Sequence, residues 1–442
     1  MSSTLLQVSP RQTLTHPVVH RLSNGLTIVA EQMPVEAVSL NLWLNVGSAI
    51  EADEINGMAH FLEHMVFKGT PRLAHGEFER RVEERGAVTN AATSQDYTHF
   101  YITAAPQDFA DLAPLLVDVV TNPSIPDDGF ERERQVVLEE IRRSQDNPRR
   151  RTFHHAVQVS FDRLPYRRQV LGPSSVIEQL LPQQMREFHG TWYNPQSITA
   201  VAVGNQPVDQ LIRVVEDSFA QVEINPTPPS TDSLDSSLLS LPAIAPLLSE
   251  TPFQDIVRRD VVDSSLQQAR LIMVWRVPGL SELHETYPLD MLASILGHGR
   301  TSRLVQELRE QRGLVSSISA SNTTYQHQGA FYISAHLPAE NVAAVEAAIV
   351  EQLSTIQQKR VSIAEIERVK TRVANHYIYG NETPGDRSGI YGYYQALVGD
   401  VAAALHYPDW IRGLTAEDLQ QAAQRYLSPD AYGIVIVRPD HK

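Results

Sequence analysis

The stretch ERRVEERGAVTNAATSQDYTHFYITAAP, Glu79 to Pro106, has a counterpart in LVQELREQRGLVSSISASNTTYQHQGAFYISAHLP, Leu304 to Pro338. Each reads as an amphipathic helix ending at Arg-Gly, then an extended segment, then a strand carrying two aromatics and an isoleucine. Farther along, WYNPQSITAVAVGN (Trp192 to Asn205) is matched by RYLSPDAYGIVIVRP (Arg425 to Pro439). Both show a helix end, a proline turn and a strand rich in valine or isoleucine. Two units repeated in the same order indicate a duplicated chain. Neither half has the regular strand–helix alternation of a doubly wound fold. The expected class is α+β, two homologous halves of mixed sheet with helices packed on one face.

Between the matched units lies NPTPPSTDSLDSSLLSLPAIAPLLSETP, residues 225–252, rich in Pro, Ser and Leu and poor in charge. It has no sustained helical or strand period and reads as a linker, part of it resting on a surface. The expected division is therefore 1–224, linker, and 253–442. With 442 residues, 42% hydrophobic and 20% charged, the chain can bury its cores without disulfides. It has no cysteine, which excludes thiol catalysis and leaves His, Asp and Glu to hold any metal. The net charge of −15 disfavours a nucleic-acid partner, which calls for a basic excess. Met1 to Thr15 is polar, with Arg11, no acid and no signal-peptide core. No apolar run is long enough to cross a bilayer, so the expectation is a cytoplasmic protein without a membrane span.

Chemistry concentrates in NGMAHFLEHMVFKGT, Asn56 to Thr70. Good helix formers between Gly57 and Gly69 predict a helix over Met58 to Lys68. On it His60 and His64 are i and i+4, so both imidazoles lie on one face and can share a metal ion. Glu63 lies on the adjoining edge, placed to reach a water without being a ligand. Phe61, Leu62, Met65 and Val66 supply the buried face. Two histidines need a third ligand. A candidate segment is FERERQVVLEEIRR, Phe130 to Arg143, a second predicted helix with Val136, Val137 and Ile141 as its apolar stripe. Glu133 and Glu140 are two turns apart and share a face, whereas Glu139 points elsewhere. One of the pair can bind metal while the other accepts a hydrogen bond from a ligand imidazole. The bland alternatives are satisfied core histidines and a solvated acidic face.

Together these segments resemble one family. H-x-x-E-H is the inverted zinc motif, and HFLEHMVFKGT is similar to the active-site helix of the pitrilysin and insulin-degrading peptidases, nearest the mitochondrial processing peptidase-like branch and its bacterial relatives. Glu140 stands 76 positions after His64 and forms an E-x6-E pair with Glu133, as the family's glutamate ligand does. The resemblance therefore implies His60, His64 and Glu140 as ligands of one zinc per chain, Glu133 as support and Glu63 as the base. The family's N-A-x-T-S edge-strand segment appears as Asn90, Ala91, Ala92, Thr93 and Ser94, which implies substrate binding by residues 90–93 through strand addition. NGLTIVAE near the start and GHGRTSRLVQELRE (Gly297 to Glu310) match as well.

The resemblance further implies a clamshell chamber completed by a second chain, either a copy or a metal-free paralogue, that cuts short unfolded peptides. The second half has no H-x-x-E-H, so one catalytic centre per chain is expected. The family's Arg/Tyr pair has no clear counterpart; Arg387 and Tyr394 in GDRSGIYGYYQ are the candidates. A His₂Glu set also suits other divalent ions. The remaining readings are a catalytically silent scaffold or peptide-binding subunit, and a maturation protease for one class of precursor. His99, His154 and His155 are expected in packing or surface roles, and Arg142 to Arg151 as a solvated turn.

Overall fold

The computed structural model describes residues 16–221 and 248–440. Its first sheet contains β1 (Val18–Arg21), β2 (Thr27–Gln32), β3 (Val38–Leu44), β4 (Val88–Thr93), β5 (Thr98–Ala104) and β6 (Ile198–Gly204) in the order β1-β2-β6-β3-β5-β4. The second contains β7 (Val257–Val262), β8 (Ala269–Pro278), β9 (Ser317–Thr323), β10 (Gln328–Leu337) and β11 (Gly433–Arg438) in the order β7-β11-β8-β10-β9. Leaving β1 aside, the two orders are the same. In each, one pair is parallel (β2 with β6, β7 with β11) and the other pairs are antiparallel. The repeat read from the sequence is thus a repeat of topology. Gly86 and Gly313, the two Arg-Gly ends, both sit at positive φ, 63° and 59°, as a helix stop before an edge strand requires. The helix before Gly313, Val305–Gln311, is a π-helix.

Helices of the first half are α1 (Met58–Met65), α2 (Glu77–Glu84), α3 (Phe109–Thr121), α4 (Asp127–Asp146), α5 (Pro148–Ser160), α6 (Ser174–Ile177), α7 (Pro182–Trp192) and α8 (Val208–Ala220). Those of the second are α9 (Leu283–Gly297), α10 (Val342–Gln358), α11 (Ile363–Tyr379), α12 (Pro384–Leu397), α13 (Ala402–Gly413) and α14 (Ala416–Tyr426). α1, α2, α3 and α8 pack on one face of the first sheet and α9 and α14 on one face of the second, and most of the other helices help close the two cores. The opposite face carries a feature the periodicity did not show. α5 crosses to cover β8 and β11 of the second sheet, and α12 crosses to cover β3 and β6 of the first. Each sheet is consequently buried on both faces at its centre. This accounts for the continuously buried runs of β6 (ITAVAVG) and β11 (GIVIV). Most of segment 225–252 lies outside the described residues. No described helix is long and apolar enough to cross a membrane.

The α12 crossing depends on one small residue. A Cβ placed on Gly392 would lie 2.0 Å from Nε1 of Trp43 on β3, whose side chain is buried. Gly392→Val is expected to force helix and sheet apart and to cost about 1–3 kcal/mol, the range for overpacking a filled core. Urea unfolding of the two proteins checks this, and an unchanged midpoint would contradict the packing.

Candidate metal centre and peptide edge

The predicted zinc helix forms, but ends at Met65 instead of Lys68. Its entry is fixed by a residue the sequence reading missed. Glu51 is buried, and its carboxylate accepts the backbone N–H of Gly57 (2.8 Å) and Ala59 (2.7 Å) and the side-chain amide of Asn56 (2.8 Å). Burial pushes its pKa up to about 7 against the lowering effect of those hydrogen bonds. Seven positions before α1, Glu51 is too far away for a local capping pattern to reveal it. Phe61, Leu62, Met65 and Val66 are all fully buried, as expected. Phe61 packs on Phe130 of α4 with ring centroids 4.5 Å apart, which sets the two helices side by side.

α4 is longer than predicted. Val137 and Ile141 are buried, but Val136 is 50% exposed and does not belong to the apolar stripe. Its flanks turn Glu133 and Glu140 toward α1, while Glu139 faces away and pairs with Arg142 and Arg143. Glu140 Oε2 lies 3.5 Å from His60 Nε2 and 3.7 Å from His64 Nε2. One ligand atom from each of the three residues falls within 4.8 Å of the others, and no other such group of His, Asp and Glu occurs among the described residues. Glu133 Oε1 stands 3.0 Å from His64 Nδ1, and its Oε2 is 2.7 Å from Lys68 Nζ. Burial alone would raise the Glu133 pKa, but these two partners outweigh it and hold the carboxyl below its usual range. Burial, with His64 adding to it, drives the His60 pKa down to about 3. That imidazole is neutral and keeps a lone pair for a cation. The arrangement fits a small divalent metal: two imidazole nitrogens, one carboxylate, and a second carboxylate orienting an imidazole.

Glu63 lies at the edge of this cluster. Burial raises its pKa, with Glu140 adding to the effect, while a hydrogen bond from the Thr93 hydroxyl and nearby His64 oppose it. That bond ties α1 to β4, the edge strand of the first sheet. Pleating divides the four residues expected to bind substrate. Asn90 and Ala92 face solvent, whereas Ala91 and Thr93 face inward. Asn90 Oδ1 accepts from the Ala91 N–H at 2.9 Å. Thr93 thus positions the acid, and the outer edge of β4 pairs with no strand among the described residues.

Arg387 and Tyr394 are placed elsewhere. Arg387 Nη1 lies 2.8 Å from Glu31 Oε1, a fully buried carboxylate on β2, and Tyr394 joins the aromatic packing of α12. In the second half, α9 holds the place of α1. There Asp290, its pKa raised to about 6 by burial, accepts from Asn322 (2.9 Å) and Tyr407 (3.3 Å). A helix-to-edge-strand tie remains, without metal donors. His99 packs as expected, stacked on Trp43 with centroids 4.5 Å apart. Arg142 to Arg151 is not a turn alone: it joins α4 to α5, with Asn147 capping the second helix.

Residues 27–174 match the family described as Insulinase (Peptidase family M16), and residues 180–373 match the Peptidase M16 inactive domain. An uncharacterized zinc protease of Rickettsia bellii is 27% identical over 95% of this chain and 97% of its own. The crystal structure of a protease from Helicobacter pylori superposes with a TM-score of 0.86 at 23% identity, covering 96% of this chain and all of the other. The periplasmic protease PqqL of Escherichia coli superposes with a TM-score of 0.75 at 17% identity, over 95% of this chain but only 47% of that longer one. Matching family halves in the order the two sheets require, together with a metal-ready cluster that among the described residues occurs in the first half alone, place this chain in the pitrilysin and insulinase peptidase family, M16.

Proposed function

We propose that this protein is a zinc-dependent endopeptidase that hydrolyses short unfolded peptides in a chamber enclosed by two chains. The observation that carries this reading is the convergence of His60, His64 and Glu140 beside Glu63, which is itself hydrogen-bonded to an open strand edge. Zinc bound there supplies Lewis-acid polarisation of the scissile carbonyl and acidifies the attacking water. The chain's residues do the rest. The β4 edge holds the peptide backbone by strand addition, with Asn90 and Ala92 on the outward face. Glu63 takes the proton of the attacking water on the oxygen opposite its Thr93 bond and delivers it to the leaving amine. Glu133 fixes the tautomer and orientation of His64.

A second chain is invoked to enclose the β4 edge, which pairs with no strand among the described residues. The partner is a second copy or a metal-free paralogue. Light scattering, zinc analysis and cleavage of a quenched peptide on the purified chain test the whole reading. A zinc-loaded, active homodimer supports it. A zinc-loaded chain that cleaves no peptide, alone or mixed with a paralogue, would favour the scaffold. Glu133→Ala is expected to weaken zinc binding about 10–100-fold, the usual effect of losing such a partner, as measured by chelator competition.

A further inference from the structure

A cleft of about 970 Å³ runs between the two halves and has a charge opposite to that of the molecule. The chain carries 52 acidic against 37 basic residues, yet the cleft is lined by four arginines and three histidines and by no Asp or Glu. Arg149 and Arg150 enter from the first turn of α5, and Arg270 and His336 from β8 and β10. Arg149 and Arg150 make only backbone hydrogen bonds to the Asn147 side chain, and Arg270 Nη1 faces His336 Nε2 at 2.9 Å. None of the three arginines has a carboxylate partner among the described residues. The nearby carboxylate of Asp263 is engaged by Arg151 and Ser265.

Burial and the charges of Arg149 and Arg151 pull the Arg270 pKa below its ordinary value, outweighing the opposite effect of Asp263. Cations grouped in this way repel one another, and an anion between them removes the cost. The cleft adjoins the candidate metal centre. Ser144, which lines it, is one turn beyond Glu140 on α4, and Gln95, which also lines it, follows the end of β4.

We propose that Arg149, Arg150 and Arg270 form a subsite for a carboxylate of the bound peptide, so that the enzyme favours substrates with an acidic group on one side of the scissile bond. This rests on the peptidase reading. A peptide laid on β4 and leaving past Thr93 runs by Gln95 into the cleft, which places the carboxylate on that side of the scissile bond. The carboxylate is either an acidic side chain or the peptide C-terminus.

The test uses quenched peptides of one sequence that differ by Glu or Gln at each successive position and by a free or amidated C-terminus. Full-length protein is compared with Arg149→Ala and with Arg149→Ala/Arg270→Gln. Moving one charge into place is expected to raise kcat/KM about 10-fold, the scale of one well-made ion pair, through KM rather than kcat. The advantage is expected to vanish in the variants and in high salt. Dependence on Glu identifies a side-chain source, and dependence on amidation identifies the C-terminus. Equal cleavage of acidic and neutral peptides, or an acidic preference that survives both variants, would overturn the subsite. Anisotropy titrations of the same labelled peptides onto Glu63→Gln protein read the preference without turnover. A failure of the peptidase reading is thereby kept apart from a failure of the subsite.

Discussion

Glu63→Gln protein is expected to bind zinc as the parent does and to cleave a quenched peptide between roughly 10²- and 10⁴-fold more slowly, the contribution of a positioned acid–base group. The substitution is nearly isosteric. The carbonyl of the introduced amide can still accept the Thr93 hydroxyl, so α1 stays tied to β4, and neither His60, His64 nor Glu140 is altered. What disappears is a group able to take and return a proton. The position suits that task, since burial raises the Glu63 pKa above the ordinary carboxylate value. Zinc content by mass spectrometry and single-turnover cleavage measure the two halves of the prediction separately. Near-normal turnover would place the base elsewhere, and loss of zinc would make Glu63 a structural residue of the centre.

Glu250→Ala is expected to lower stability by roughly 3–5 kcal/mol, because it strips the acceptor from three backbone N–H groups and removes one of the two carboxylates, with Asp162, that face Arg276. Glu250 is 4% exposed and follows the undescribed segment. Its carboxylate accepts three consecutive backbone N–H groups, those of Asp162, Arg163 and Leu164, at 2.7–3.0 Å. It also lies 3.0 Å from Arg276, a buried guanidinium on β8 that donates to Ser160 and Thr251. The single carboxylate therefore joins the end of α5 to the second sheet. Burial raises its pKa, but the N–H donors and Arg276 together hold it below the usual value. A depressed acid stabilises the fold above its unfolded pKa, near 4.5, and loses that contribution as pH falls through the lower folded value. The stability gap between the parent and Glu250→Gln should be complete at pH 7 and should narrow below about pH 4. Urea titrations across that range would show it, and a gap independent of pH would mean that the carboxylate's charge is not what matters.

Glu250 and Glu51 also show where sequence reading stops. Both are buried acids whose partners are backbone N–H groups on segments brought to them by the fold. Nothing in their neighbouring residues announces this. The metal cluster was more legible because its parts are local. His60, Glu63 and His64 lie within one turn of one helix, and Glu133 and Glu140 are two turns apart on another, so helical geometry alone sets each subset. Joining the subsets required either a known family pattern or the fold, in which the Phe61 and Phe130 contact brings the helices together.

The sequence by itself determined the duplication, the α+β class, the helices that carry the metal donors, and the absence of a second such helix after residue 253. These follow from periodicity, turn residues and spacing, which act over a few positions of chain. Only the tertiary structure decided that α5 and α12 exchange sheets, that Thr93 holds Glu63, that Arg387 neutralises Glu31, and that the cleft between the halves is lined with cations. Those outcomes depend on which surfaces meet once both sheets have formed. Contacts between residues thirty to several hundred positions apart leave no local pattern to read.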